Sequence, residues 1–262
     1  MAISEWFIHY LQRREDITPN DLVRLRAIST TRITVLPGSV IVSRQVNPGS
    51  SAMLVRGMAA RSHPALDRVG GRVISALYVA GDFVDLDGFA QGRFDHDIIA
   101  NSCCEVELVR HDVLHAVIDI YPRLNRLILR LISFEAAIYR RWLVVAASLR
   151  SSAHLAHLVC ELYIRLARIG AARNHHLTLP LLQRELAEVL GYSSIHVNRA
   201  VRDLRDRGLL QWRGSEIAIL DWDGLVRLAR FDADYLGPEG QALPWRSIEC
   251  VTDIADTRCF VP

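Results

Sequence analysis

A chain of 262 residues, half of them hydrophobic, is long enough for two domains that each bury a core. Its 31 basic and 29 acidic side chains leave a formal net charge of +2, which neither suggests nor excludes nucleic acid, because a local basic face can act while the total stays near neutral. Every basic residue among the 31 is arginine, so a Walker A lysine and a Schiff-base lysine are excluded, and G-x-G-x-x-G, H-E-x-x-H and G-x-S-x-G are missing as well.

The first residues, MAISEWFIHYLQRRED, show no basic start followed by an apolar stretch and a small-residue cleavage site, so no signal peptide is expected. The densest apolar run, WLVVAA at 142–147, falls far short of the ~20 residues of a membrane span. A cytoplasmic protein without a membrane partner is expected. Five cysteines (Cys103, Cys104, Cys160, Cys250 and Cys259) form an odd set without C-x-x-C spacing, which argues against a disulfide framework and a zinc finger. They read as reduced, mostly buried thiols.

In chain order, a helical run over 5–25 is broken at DITPND, where Thr18 and Pro19 read as an N-cap and first helical residue. From Ile33 to Val109 the pattern turns β-like: RITVLPGSVIVS, SAMLVRGMAARS, GRVISALYVAGDF and HDIIANSCCEVELV, punctuated by Gly, Pro, Asn and Asp. This predicts a compact all-β sandwich or roll. Within it, Cys103 and Cys104 point to opposite faces of a strand, one into the core and the other either packed or accessible to redox chemistry.

After HDVLHAVID the chain reads as one long helix, from Pro122 to about Leu149. Leu124, Ile128, Leu131, Glu135, Ile138, Trp142, Val145 and Leu149 recur at alternating steps of four and three, a narrow seam that suits pairing with a second copy of the chain. Packing against its own domain is the alternative. Arg150-Ser151-Ser152 reads as a hinge and new N-cap, followed by a helix, AHLAHLVCELYIRLARIG, that a glycine ends.

Next, Leu182, Leu186, Val189 and Leu190 place an apolar stripe on a helix that stops at Gly191, and Ser193 can cap the helix after it. On that second helix Val197, Val201 and Leu204 face inward, while Ile195, Asn198, Arg199 and Arg202 fall together on the opposite side. Two helices joined by a short glycine-containing turn, the second presenting donors near its N-terminus, make a helix-turn-helix whose second helix can read a major groove. Asn and Arg suit base edges and the exposed Ile a thymine methyl. An ordinary solvated helix face is the bland alternative. GLLQWRGSEIAILD then gives two short strands around Arg213-Gly214-Ser215, a wing directly after the helix.

This order of roll, long helix, hinge helix and winged helix-turn-helix, with LPLLQRELAEVLGYSSIHVNRAVRDLRDRGLL, resembles the Crp/Fnr family of bacterial transcription regulators over residues 20–236. VAGDFVDLDGF is similar to the family's Pro-Gly-Asp/Glu turn, with Ala80 in place of proline. The resemblance implies an α+β homodimer. A cyclic-nucleotide-binding-like sensory roll would occupy 1–120, a dimerisation helix 121–150, a winged module 151–236 and a tail of unread role 237–262. Double-stranded DNA with a palindromic operator and RNA polymerase are the implied partners. Arg199 matches the family's base-contacting arginine, with guanine as partner. Ile195 stands where well-known members carry a cytosine-reading glutamate, and Asn198 where they carry serine or glycine, so the resemblance does not give the operator sequence. With Arg202 these make the base-contacting set. Gln183 and Arg184 match phosphate-touching positions, and His196, Ser193, Ser194 and Arg213 join them at the helix start and the wing; such contacts position the module without specifying sequence.

No catalytic residue, metal or cofactor is expected. No cysteine precedes Cys103, against the iron–sulfur cluster of some members. His111/His115 and His154/His157/Cys160/Glu161 have spacings that can ligate a metal but equally suit packed helix residues. Members that bind cyclic AMP use a glutamate after the turn glycine and an arginine followed by serine or threonine. Here Asp82 and Asp95-His96 stand at those places, with Arg93 the nearest cation, so cyclic AMP is not expected. Two rivals remain: a cupin-like metalloenzyme, and a winged interaction module that does not bind DNA.

Overall fold

The structure, a computed structural model, describes residue 8 and residues 17–46, 49–66, 70–120 and 122–237. The tail from 238, with Cys250 and Cys259, lies outside the described residues, as does most of the stretch before Ile17. Helix α1 (Pro19–Arg26) starts as the sequence predicts: Thr18 accepts from the Asp21 amide, the Asp21 carboxylate accepts from the Thr18 amide at 3.0 Å, and proline fills the first helical position.

Seven strands follow: β1 (Thr30–Val35), β2 (Val40–Val42), β3 (Ser50–Arg56), β4 (Met58–Pro64), β5 (Arg72–Val79), β6 (Asp97–Ala100) and β7 (Cys104–Arg110). They form two antiparallel sheets, β1-β7-β3 and β2-β6-β4-β5, which pack as a roll. Alternation along the strands sorts the side chains between two cores. Ala59, paired with Tyr78, faces Leu54, Ile98 and Val106 inside the roll. Met58, Ala60, Leu77 and Val79 face the other way and join a second core built from the helices that follow. A strand buried on both faces accounts for the nearly unbroken apolar run of GRVISALYV. Cys104 is in the roll core, donating to the Met58 carbonyl at 3.2 Å, and Cys103 is half-buried.

Two short helices are absent from the sequence reading. Helix α2 (Leu86–Gln91) carries Gly88, where a Cβ would meet the Phe94 ring, and α3 (His111–Ile120) leads directly into α4 (Pro122–Ser148). Helix α4 runs 27 residues, about 40 Å. Its seam is used differently from the expected pairing with a copy. Glu135 accepts from Arg61 at 3.0 Å, from the Tyr78 hydroxyl at 2.6 Å and from Tyr139. Ile138 and Trp142 pack on the chain's own second core, Val145 is buried and Leu131 lines a cavity against the roll. Ile128 is half-buried, and the Leu124 side chain lies outside the described residues. This face of the helix is taken by the chain's own domain.

Helix α5 (Ser151–Arg168) begins at the expected hinge, but its N-cap is Arg150, not a serine. The Arg150 guanidinium turns back to the Ala146 and Leu149 carbonyls, tying off the end of α4, and Ser151 sits in the left-handed region at φ 46°. From α5, Arg165 reaches the roll turn, donating to Asp82 at 2.8 Å and to the Leu77 carbonyl at 2.7 Å, with Glu161 at 3.1 Å. Glu161, itself fully buried, accepts from Trp142 of α4 at 2.9 Å and from the Tyr235 hydroxyl at 2.7 Å. Burial alone would lower the Arg165 pKa, but the two carboxylates outweigh it and hold the guanidinium charged.

Candidate nucleic-acid interface

After β8 (Ala172–Arg173) and β9 (His176–Thr178) come α6 (Gln183–Leu190), α7 (Ser194–Asp206), β10 (Leu210–Arg213), β11 (Glu216–Ile219) and α8 (Trp222–Ala229). The four strands form one antiparallel sheet, β10-β11-β9-β8, so the wing is anchored by β9 as well as by its own hairpin. That β8–β9 pair is too short to show any periodicity in the sequence.

The start of α6 is held by Glu185, whose carboxylate accepts from the Leu182 amide at 2.8 Å; Leu182 is the N-cap and exposed, so the apolar stripe begins one turn later, at Leu186. Gly191 ends the helix at φ 68°. Ser193 then caps α7, accepting from the His196 amide and sharing a 2.8 Å hydrogen bond with its Nδ1. Val197, Ala200 and Leu204 are buried against α5 and α6, with Val201 half-buried beside them. The opposite face is open. Ile195 is 66% exposed, and Asn198, Arg199 and Arg202 are exposed around it.

The structure thus brings the four side chains read as base-contacting onto one helix face. Gln183, Arg184, Ser193, Ser194 and His196 are exposed at the N-terminal ends of α6 and α7, where unpaired amides favour anions. Arg213 is exposed at the wing tip, where Trp212 closes the turn by donating to the Gly214 carbonyl at 3.0 Å. Arg205, exposed one turn beyond Arg202 (i+3), belongs to the same basic surface; its place on the 3.6-residue period could have found it. Arg207 beside it is tied to Asp203 at 3.0 Å. On the side away from Arg199, the helix looks across a cleft of about 1120 Å3 whose far wall is the roll.

The candidate metal ligands are engaged in packing. His111 meets the Ser51 hydroxyl at 3.2 Å and, with His115, packs on Phe89. His157 contacts the Ala229 carbonyl at 3.2 Å, and His154 contacts the Tyr192 hydroxyl at 3.3 Å, with burial, His157 and Arg150 lowering its pKa to about 4. Cys160 is buried, and Glu161 is committed to Arg165, Trp142 and Tyr235. Among the described residues no group of three or more His, Cys, Asp or Glu side chains could hold an ion.

The sensory turn is self-occupied too. Asp82 accepts from the Val79 amide at 2.9 Å and from Arg165, and exposed Asp95 holds buried His96 at 2.7 Å. Burial lowers the pKa of the His96 imidazole. Arg61, unmarked in the sequence, is buried in the roll and paired with Asp87 and Glu135.

Residues 153–228 match a family model described as a Crp-like helix-turn-helix domain. The chain is 26% identical to the transcriptional activator protein FnrA of Stutzerimonas stutzeri over 71% of this chain and 75% of that one. It is 25% identical to the transcriptional activator protein anr of Pseudomonas aeruginosa over the same shares, 71% and 75%. Among solved structures it resembles FixK2 from Bradyrhizobium japonicum, with a TM-score of 0.65 at 18% identity, covering 77% of this chain and 98% of that one. FnrA and anr are transcriptional activators. No described helix is long and apolar enough to cross a membrane.

Proposed function

We propose that the chain is a DNA-binding transcription regulator of the Crp/Fnr type that acts as a cytoplasmic homodimer on a palindromic operator, without using cyclic AMP. The observation that carries the reading is the open face of α7, where Ile195, Asn198, Arg199 and Arg202 are exposed together beside a wing. Phosphates would be met by Gln183, Arg184, Ser193, Ser194, His196 and Arg213, and RNA polymerase would be the further partner. Footprinting the purified protein on genomic DNA is expected to give palindromic sites with half-site centres about 34 Å apart, one helical turn. Affinity that does not fall with salt, or no protected site, would favour the interaction-module reading instead.

Dimerisation is assigned to the outer face of α4. Leu129, Ser133, Ala136, Arg140, Leu143 and Ala147 recur at alternating steps of four and three, and Leu129, Leu143 and Val144 are 55%, 73% and 55% exposed. Small residues in the middle of the strip would let two helices approach closely. Leu143→Glu would set two like charges across this seam and is expected to give monomers with weak operator binding. A dimer persisting at nanomolar concentration by light scattering would move the interface elsewhere.

Cyclic AMP needs a cation at its phosphate, and the place offers Asp95 beside His96, whose pKa burial lowers, with Asp87 close to Arg61. Calorimetric titration with cyclic AMP and cyclic GMP is expected to show no saturable heat. Micromolar binding that also tightened operator affinity would show the reading wrong.

A further inference from the structure

Arg140 is a lone charge on the outer face of α4. The strip assigned above to the dimer runs through Ala136, Leu143, Val144 and Ala147, and Arg140 is exposed in the middle of it. No described side chain forms a hydrogen bond or an ion pair with it. The arginines near it are engaged: Arg141 lies over the Tyr235 ring, 4.8 Å from the centroid, and Arg150 turns back on the Ala146 and Leu149 carbonyls. Nor can α4 supply a carboxylate there. Glu135 is the only acid from 122 to 148, and it points the other way, to Arg61, Tyr78 and Tyr139.

In an isologous dimer a residue on the seam meets its own copy. A seam through Arg140 therefore sets two guanidiniums across the two-fold axis with no carboxylate from either helix between them. The small side chains of Ala136 and Ala147 let the helices close to the usual spacing of about 8–10 Å. Leu143 and Val144 exclude water beside the pair, so the repulsion is less screened than on an open surface. A counter-ion would turn that repulsion into a bridge.

We propose that the paired α4 helices bind a small inorganic dianion, sulfate or hydrogen phosphate, between the two Arg140 guanidiniums. Each guanidinium offers parallel N–H donors that match two oxygens of a tetrahedral oxyanion, so one ion serves both copies. Symmetry favours the inorganic ion over a phosphate monoester. A tetrahedral ion can lie on a two-fold axis, whereas the ester's carbon chain would leave on one side, into Ala136 or Leu143. The site is incomplete without the second copy, so ion binding and dimerisation are linked. An ion at about ten times its own dissociation constant would tighten the dimer about tenfold. The inference rests on the dimer reading above.

Sedimentation velocity of the full-length protein over a concentration series tests it, in sodium chloride and with sodium sulfate, sodium phosphate or glycerol phosphate added at matched ionic strength. The wild-type dimer dissociation constant is expected to fall about tenfold with sulfate or phosphate and to stay near its chloride value with glycerol phosphate. Arg140→Gln removes the repulsion and the site together, so it should dimerise in chloride alone and gain little from either ion. Sulfate also strengthens association generally by exclusion from protein surfaces, and the difference between wild type and Arg140→Gln removes that contribution. Equal responses to sulfate in the two proteins, or a monoester as effective as the inorganic ions, would overturn the site while leaving the dimer intact. A wild type that stays monomeric in every buffer, or a dimer that neither Arg140→Gln nor Leu143→Glu alters, would overturn the α4 seam and the site with it.

Discussion

Arg199→Ala is expected to cost ~1–3 kcal/mol per half-site, and so about thirtyfold to twenty-thousandfold in affinity when both halves of a dimer are engaged. The loss should appear on operator DNA and shrink on scrambled duplex, because the side chain lies on the open face of α7 where a bidentate contact to a guanine edge is available. Arg184→Ala makes the contrast. At the N-terminal end of α6 its partner would be a phosphate, so all sequences should weaken alike and the salt slope should shallow by about one. Anisotropy titrations of both variants on both duplexes, at several salt concentrations, decide between the roles. Equal losses for Arg199→Ala on operator and scrambled DNA would remove it as a base reader.

Arg165→Met is expected to destabilise the fold by ~3–5 kcal/mol, a large share of a typical total of 5–15 kcal/mol. The guanidinium, itself buried, answers two carboxylates that reach it from different parts of the chain, Asp82 of the sensory turn and Glu161 one helical turn away. Removing it leaves Glu161, which has no exposed surface, with only the neutral donors Trp142 and Tyr235. Breaking one partner of such a group costs far more than the group's net worth, since the remaining charge stays desolvated. Urea unfolding measures the effect. A loss below about 1 kcal/mol would mean that water reaches the site or that the turn moves away. A triple replacement with apolar residues of matching volume is expected to recover much of the stability, which would separate buried charge from lost packing.

Reading and structure part company over partners far along the chain. The strands from Ile33 to Val109 are legible because alternation and Gly/Pro punctuation are local, and Thr18, Gly191 and Ser193 are legible as caps because each acts within three residues of itself. The face of α4 is not. Both of its faces carry apolar residues at the same spacing, so which one the chain's own core takes depends on Tyr78, Arg61 and Glu161, which bond to Glu135 and Trp142 across the fold. Arg150 took the cap assigned to a serine because the end of α4 offered its guanidinium two carbonyls, a competition invisible in the tripeptide.

By itself, then, the sequence determined the roll, the long helix, the winged helix-turn-helix and the set of side chains on the outer face of α7. Those features follow from periods of two and 3.6 residues and from capping chemistry, which need no knowledge of neighbours. Only the tertiary structure decided that one core runs from β4 and β5 through α5 into the winged module, and that Arg61, Glu161 and Arg165 are buried in ion pairs, Arg61 with half-buried Glu135. It also set Arg72 and Asn101 against α6. The reason is physical: a charge is buried only where a partner offsets its desolvation, and that partner lies in another element, brought close by packing the whole fold.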